Sequence, residues 1–134
     1  MLIIDLNKFS LFEKNEIENE NGSTQYWSQP DFSYKRRVHI YDSENNEIGY
    51  VQYKILSSQN EIGFYDKDDK PIILDDLQIL YKKDEWNYSI VKNNNEIVLL
   101  EKVDNLVKIE IKDYSEINKC LLKVFSLAEQ GEQH

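Results

Sequence analysis

The stretch Val38-His39-Ile40-Tyr41-Asp42-Ser43-Glu44-Asn45-Asn46, with Tyr50-Val51-Gln52-Tyr53-Lys54-Ile55 after it, decides the fold class. Val38 and Ile40 fall on one face of an extended chain, because successive side chains of a strand point to opposite sides. Asp42 to Asn46 is turn chemistry, since short Asx and Ser side chains bond their own backbone and tolerate left-handed conformations. Val51, Tyr53 and Ile55 then alternate with Tyr50, Gln52 and Lys54. Two alternating runs joined by a short polar connection read as an antiparallel hairpin.

The same grammar recurs downstream. Ile62-Gly63-Phe64-Tyr65 leads through Asp66-Lys67-Asp68-Asp69-Lys70 into Pro71-Ile72-Ile73-Leu74, and Trp86 to Val91 leads through Lys92-Asn93-Asn94-Asn95 into Glu96 to Leu100. Leu77, Ile79 and Tyr81 alternate with Gln78, Leu80 and Lys82, and Val107, Ile109 and Ile111 alternate with Lys108, Glu110 and Lys112. The turns after Tyr41, Tyr65 and Val91 are about 25 residues apart, a spacing that raises the question of a repeat. No side-chain signature of a known repeat accompanies it. The expectation is a β-rich, mainly antiparallel, barrel-like meander.

The end of the chain changes period. Asp113-Tyr114-Ser115-Glu116 matches a capping box, and Ile117, Cys120, Leu121, Val124, Phe125 and Ala128 follow at helical spacing. Leu122 and Leu127 widen the stripe, Asn118, Lys119, Lys123 and Ser126 hold the other side, and Gly131 stands as a stop. This predicts one largely buried C-terminal helix over 114–130. Near the start, Leu2–Leu6 and Phe9–Phe12 are expected to pair as strands, and 15–24 reads as a polar loop. The whole, 1–134, is expected to be a single domain.

Composition sets outer limits on function. Sixteen basic against 25 acidic residues leave a net charge of −9, the wrong sign for a nucleic-acid backbone partner. The start, Met1-Leu2-Ile3-Ile4-Asp5-Leu6-Asn7-Lys8, has no basic leader, and Cys120 alone makes no disulfide, so a cytoplasmic setting is expected. Lys outnumbers Arg heavily amid abundant Ile, Asn and Tyr, which fits the AT-rich coding of a low-GC bacterium or its phage.

Chemistry-bearing motifs are sparse. His39 is the one internal histidine and, between Val38 and Ile40, faces away from them. Cys120 falls in an apolar helix, where a thiol is inert. Asp66-Lys67-Asp68-Asp69-Lys70 lacks the central Gly and closing Glu of a calcium loop. Asp75-Asp76 and Asp84-Glu85 are adjacent acids that diverge on a strand. No catalytic residue, cofactor site or metal site is assigned, and no enzyme activity is expected. One cluster stands out: Tyr26, Trp27, Phe32 and Tyr34 accompany the only two arginines, Arg36 and Arg37. Such a mixture marks interaction patches, and it also suits the start of a strand with aromatics inward and arginines at an edge. Both readings stand at this point.

From Tyr34 to about Leu127 the chain resembles the tubby C-terminal-like superfamily, in particular the plant and bacterial LURP-one-related proteins. The segments that carry the resemblance are Val38-His39-Ile40-Tyr41-Asp42, Asn45-Asn46-Glu47-Ile48-Gly49, Val51-Gln52-Tyr53-Lys54, the later strand–turn–strand units and the terminal apolar helix. The resemblance implies a closed antiparallel barrel threaded by that helix. Tubby proteins bind phosphoinositides through a basic pocket, and relatives include phospholipid scramblases. This chain offers only Arg36 and Arg37 as forked phosphate donors, and no binding residue is carried across. The leading functional expectation is a small acidic, non-catalytic binding protein such as an inhibitor, immunity protein, antitoxin or phage counter-defence protein, steered by charge to a protein partner. The alternative is a peripheral phospholipid-binding domain using Tyr26, Trp27, Arg36 and Arg37.

Overall fold

The computed structural model describes residues 1–10, 12–32, 36–53, 62–81 and 86–132. Among these residues ten strands and one α-helix follow in order: β1 (Leu2–Asp5), β2 (Asn15–Asn19), β3 (Thr24–Asp31), β4 (Arg36–Asp42), β5 (Glu47–Tyr53), β6 (Ile62–Tyr65), β7 (Gln78–Tyr81), β8 (Tyr88–Lys92), β9 (Asn95–Val103), β10 (Leu106–Ile111) and α1 (Ile117–Glu132). All pairings are antiparallel, and the sheet order is β6-β5-β4-β3-β2-β1-β10-β9-β8-β7. Two meandering arms, β1–β6 and β7–β10, are thus joined by the pairing of β1 with β10. No helix among the described residues is long and apolar enough to cross a membrane.

Three of the turns share one construction. Asn19, Asp42 and Asp66 each accept, through Oδ1, the backbone N–H groups two and four residues on, at 2.8–3.0 Å. In each the fourth residue, Gly22, Asn45 or Asp69, is left-handed, with φ of 80°, 67° and 64°. Glycine, Asn and Asp are the residues that tolerate this conformation. Of the three regularly spaced turns read from the sequence, those at 42–46 and 66–70 are thus Asx-anchored, and the same device recurs at 19–23. At 93–94 a different device, two consecutive left-handed asparagines (φ 52° and 65°), makes a tight two-residue turn.

The sheet curls around α1. Nine inter-strand gaps of about 4.8 Å would place β6 and β7 roughly 43 Å apart in a flat sheet. The link between them spends 66–70 on a turn and starts back beside β6, with Ile72 N–H donating to Phe64 O at 2.8 Å. Residues 71–77 then reach at most about 25 Å, so the sheet must bend to bring its two ends together. The burial pattern agrees. Ile17, Ile40, Val51, Tyr88, Leu100 and Ile109, from six different strands, are each no more than 1% exposed, and they share one core with Cys120, Leu121, Leu122 and Phe125 of α1. One helix, about 10 Å wide, covers that many strands only if they wrap it. Strands β6 and β7 end the sheet, and no ladder joins them among the described residues.

Several sequence expectations are corrected. The polar loop expected at 15–24 is β2, the Asn19–Ser23 turn and the start of β3; Ile17 is its one inward apolar residue, with Glu16 and Glu18 on the other face. Strand β1 pairs with β2 and β10, not with Phe9–Phe12. After β1 the chain turns, with Asn7 N–H on Asp5 Oδ1 at 3.0 Å, and a loop follows that Ser10 and Asn15 close by two mutual bonds of 2.8 and 2.6 Å. Phe9 instead packs edge-on against Trp86, 5.9 Å between ring centroids. At the other end, the region expected as helix 114–130 is a 3₁₀ turn, Tyr114–Glu116, followed by α1, which runs through Gly131 to Glu132. Asp113 caps as expected, accepting Ser115 N–H at 3.0 Å. Glu116 does not complete the box; it takes Lys92 Nζ at 2.6 Å. Ser126 is buried rather than solvent-facing, its hydroxyl donating to Lys123 O at 2.8 Å.

Candidate interaction face

On the side of the sheet away from α1, β3 to β6 bring polar and aromatic side chains into cross-strand rows. Gln29, His39, Tyr50 and Tyr65 lie opposite one another on four neighbouring strands, and Asp31, Arg37, Gln52 and Gly63 form the next row. Trp27, Tyr41 and Glu47 form a third. Opposed side chains in such rows interact directly.

Tyr50 is the centre of the face. Its ring stacks on Tyr65, with centroids 5.0 Å apart at 16°, and leans on His39 at 5.1 Å, while the Arg37 guanidinium carbon lies 5.0 Å from its centroid. Only 4% of Tyr50 is exposed although it points away from the main core. Its hydroxyl donates to Asp69 Oδ1 at 2.8 Å. Burial, and after it that bond to a carboxylate, push the phenol up to about 12. Arg37 is held from the side as well, its Nε donating to Gln52 Oε1 at 3.0 Å.

A β-bulge supplies the next feature. Ile40 pairs with Gly49 but Tyr41 pairs with Glu47, so Ile48 is an extra residue on β5. Ile48 packs against the core, and Glu47 is turned to the outer face, which is the usual consequence of a bulge. There Glu47 Oε1 lies 2.6 Å from His39 Nδ1. A carboxylate only accepts, so Nδ1 carries the proton of that bond. Beside this pair, Trp27 stacks on Tyr41 at 4.1 Å and 18°, donates Nε1–H to Asn45 Oδ1 at 3.1 Å, and carries Lys14 Nζ 4.6 Å from its ring. Burial raises the Tyr41 phenol, with Glu47 adding to it.

The sequence patch divides between two places. Trp27 and Arg37 belong to the outer face. Tyr26 packs against the core, and burial, with Asp42 adding to it, raises its phenol. Arg36 lies on the core side of β4 at its first residue, over Phe32 at 5.5 Å and Tyr53 at 5.4 Å. Phe32 stacks on Phe12 at 6.0 Å, and both are well exposed. Tyr34 lies outside the described residues. Sequence reasoning missed Glu47, Tyr50, Gln52, Tyr65 and Asp69. A readable signal for the bulge existed: Asn-Asn-Glu-Ile occurs at 45–48 and again at 94–97. The second copy makes the same register shift, Ile90 to Val98 and Val91 to Glu96, and turns Glu96 to the outer face against Ser89 and Lys112.

The chemical reach of the other candidates follows from their positions. Cys120 is fully buried on α1, on the opposite side of the sheet from His39, and burial first, then Glu116, pushes its thiol up to about 12. Asp66 Oδ1 is taken up by backbone N–H groups and Asp69 Oδ1 by Tyr50. Among the described residues no three His, Cys, Asp or Glu side chains are grouped to hold a metal ion. A cleft of about 450 Å³ on the β1–β2 side is lined by Glu16, Glu18, Glu20, Lys8 and Lys14 among others, and one of about 300 Å³ lies beside β6 under Ile73 and Lys123. The chain matches no family model, no curated protein and no solved structure.

Proposed function

We propose that the chain is a small acidic, non-catalytic binding protein that works by protein–protein contact through the outer face of β3–β6. The observation that carries this reading is the pre-ordered aromatic tier around Tyr50, with Arg37 laid across it and Trp27 stacked on Tyr41 alongside. Aromatic and Arg side chains dominate binding energy at interfaces, and side chains already fixed by stacking lose little entropy on association. The net charge of −9 favours a partner whose surface is basic and speeds its approach. An inhibitor, immunity protein or antitoxin of a bacterium or phage, acting in the cytoplasm, is the role we assign to such a module.

The test compares capture from a bacterial lysate by the wild type and by Trp27→Ala and Tyr41→Ala, each first shown to melt as a folded domain. A basic protein held at low salt by the wild type, shed at high salt and lost with either variant supports the reading. Equal capture by wild type and variants overturns it.

The second reading is a tubby-like peripheral phospholipid domain. The wrapping of the sheet around α1 favours that architecture, and the exposed Phe12–Phe32 pair with Arg36 above Phe32 favours contact with a membrane surface. Flotation with anionic vesicles that Phe12→Ser and Phe32→Ser together abolish supports it, and a wild type that stays with the unbound fraction rules it out.

A further inference from the structure

We propose that Arg37 receives a single carboxylate, presented as an acidic side chain within the otherwise basic surface of the partner. This inference rests on the outer face being the binding surface and names the chemistry of its anchor. A guanidinium has five N–H donors in a rigid fork, and its two Nη groups match a carboxylate bidentately. In Arg37 the Nε–H is taken by Gln52 and the plane is braced over Tyr50. Among the described residues no acceptor meets the Nη groups, so Gln52 and Tyr50 hold the fork in place with its recognition edge not taken up by them. Asp31 lies opposite Arg37 on β3.

One guanidinium suits a monoanion. Glu47 and Asp69 flank the site, and the chain as a whole is at −9, so the second charge of a phosphate dianion would go uncompensated. His39 stands beside the site, its Nδ1–H on Glu47 Oε1 at 2.6 Å and its ring against Tyr50 at 5.1 Å.

The experiment titrates the full chain, followed by NMR of the arginine Nε–H and tyrosine ring signals, with the blocked peptide Lys-Lys-Glu-Lys-Lys and its Gln counterpart. The expected result is about tenfold tighter binding of the Glu peptide, with signals of Arg37 and Tyr50 moving. Arg37→Lys, which keeps the charge and removes the fork, should reduce the Glu peptide to the Gln level while the protein still melts as a folded domain. Equal affinity for the two peptides, or Glu-peptide binding unaffected by Arg37→Lys, overturns the proposal. Inorganic phosphate or anionic vesicles that displace the Glu peptide at lower concentration than acetate reassign the site to phosphate and overturn it equally. The failures are separable. Capture lost with Trp27→Ala but unaffected by Arg37→Lys keeps the protein-binding face and removes the carboxylate anchor.

Discussion

Glu47 Oε1 lies 2.6 Å from His39 Nδ1 because Ile48 is an extra residue on β5, and the backbone accommodates that residue at Gly49. Gly49 has φ of 151°, and a Cβ placed on it would lie 2.5 Å from the Tyr65 carbonyl oxygen on β6. The bulge, the strand next to it and the histidine's partner thus depend on one missing side chain.

Gly49→Ala should therefore cost at least about 1–3 kcal/mol, since backbone must shift and φ is unfavourable for an L side chain. Denaturant melts measure the loss, and the His39 ring signals should move with it as Glu47 is displaced. An alanine variant as stable as the wild type, with His39 unmoved, would show that β5 tolerates a side chain there.

Tyr50→Phe removes the hydroxyl bonded to Asp69 and should cost about 1–2 kcal/mol at neutral pH. The folded phenol ionises near 12, above the ordinary tyrosine value of about 10. Between those values the unfolded chain has released a proton that the folded one still holds, so stability is full below about pH 10 and falls as pH rises towards 12. The variant should lose much of that alkaline fall, with Tyr26 and Tyr41 retaining their share. Paired melts at pH 8 and pH 11 decide it; equal slopes for both proteins would contradict the assignment.

How far the sequence reveals this structure depends on whether the interaction is periodic. Val38 and Ile40, or Val107 and Ile109, alternate with polar residues, and both pairs are buried as that alternation requires. The turn at 42–46 is legible from the Asx at its first position, and α1 from its wide apolar stripe. Strand β2 was hidden because Ile17 is its only apolar residue and two glutamates flank it. The outer face was hidden for another reason. Tyr50 and Gln52 alternate correctly to the solvent side, and what buries them is lateral stacking between strands, which one strand's pattern does not encode. Glu47 is the extreme case, since a bulge reverses its face and breaks the period that a reader would use to place it. The pairing of β1 with β10, more than 100 residues away in sequence, has no local signal at all.

Cys120 should be inert in the folded protein. It is fully buried, and burial pushes its thiol up to about 12, so the reactive thiolate is scarce at neutral pH. Labelling with a disulfide reagent at pH 8 should proceed only at the rate of unfolding and become complete in denaturant. Prompt stoichiometric labelling under native conditions would place the thiol at the surface and contradict the packing of α1.

Phe125 tests whether α1 is the centre of the molecule or a cover on it. Its ring is 2% exposed, and it shares a core with Leu121 and Leu122 and with residues from both arms of the sheet. Because the helix shares one core with residues from both arms of the sheet, a vacated volume there is held open by elements already tied into strand ladders. Truncation to alanine should then carry both the lost transfer energy and the cavity cost, about 3–5 kcal/mol. The measurement is the shift in urea midpoint at unchanged slope, which separates lost stability from a changed denatured state. A cost under about 1 kcal/mol, the range of surface substitutions, would mean that the strands hold together without the helix and that it only caps them.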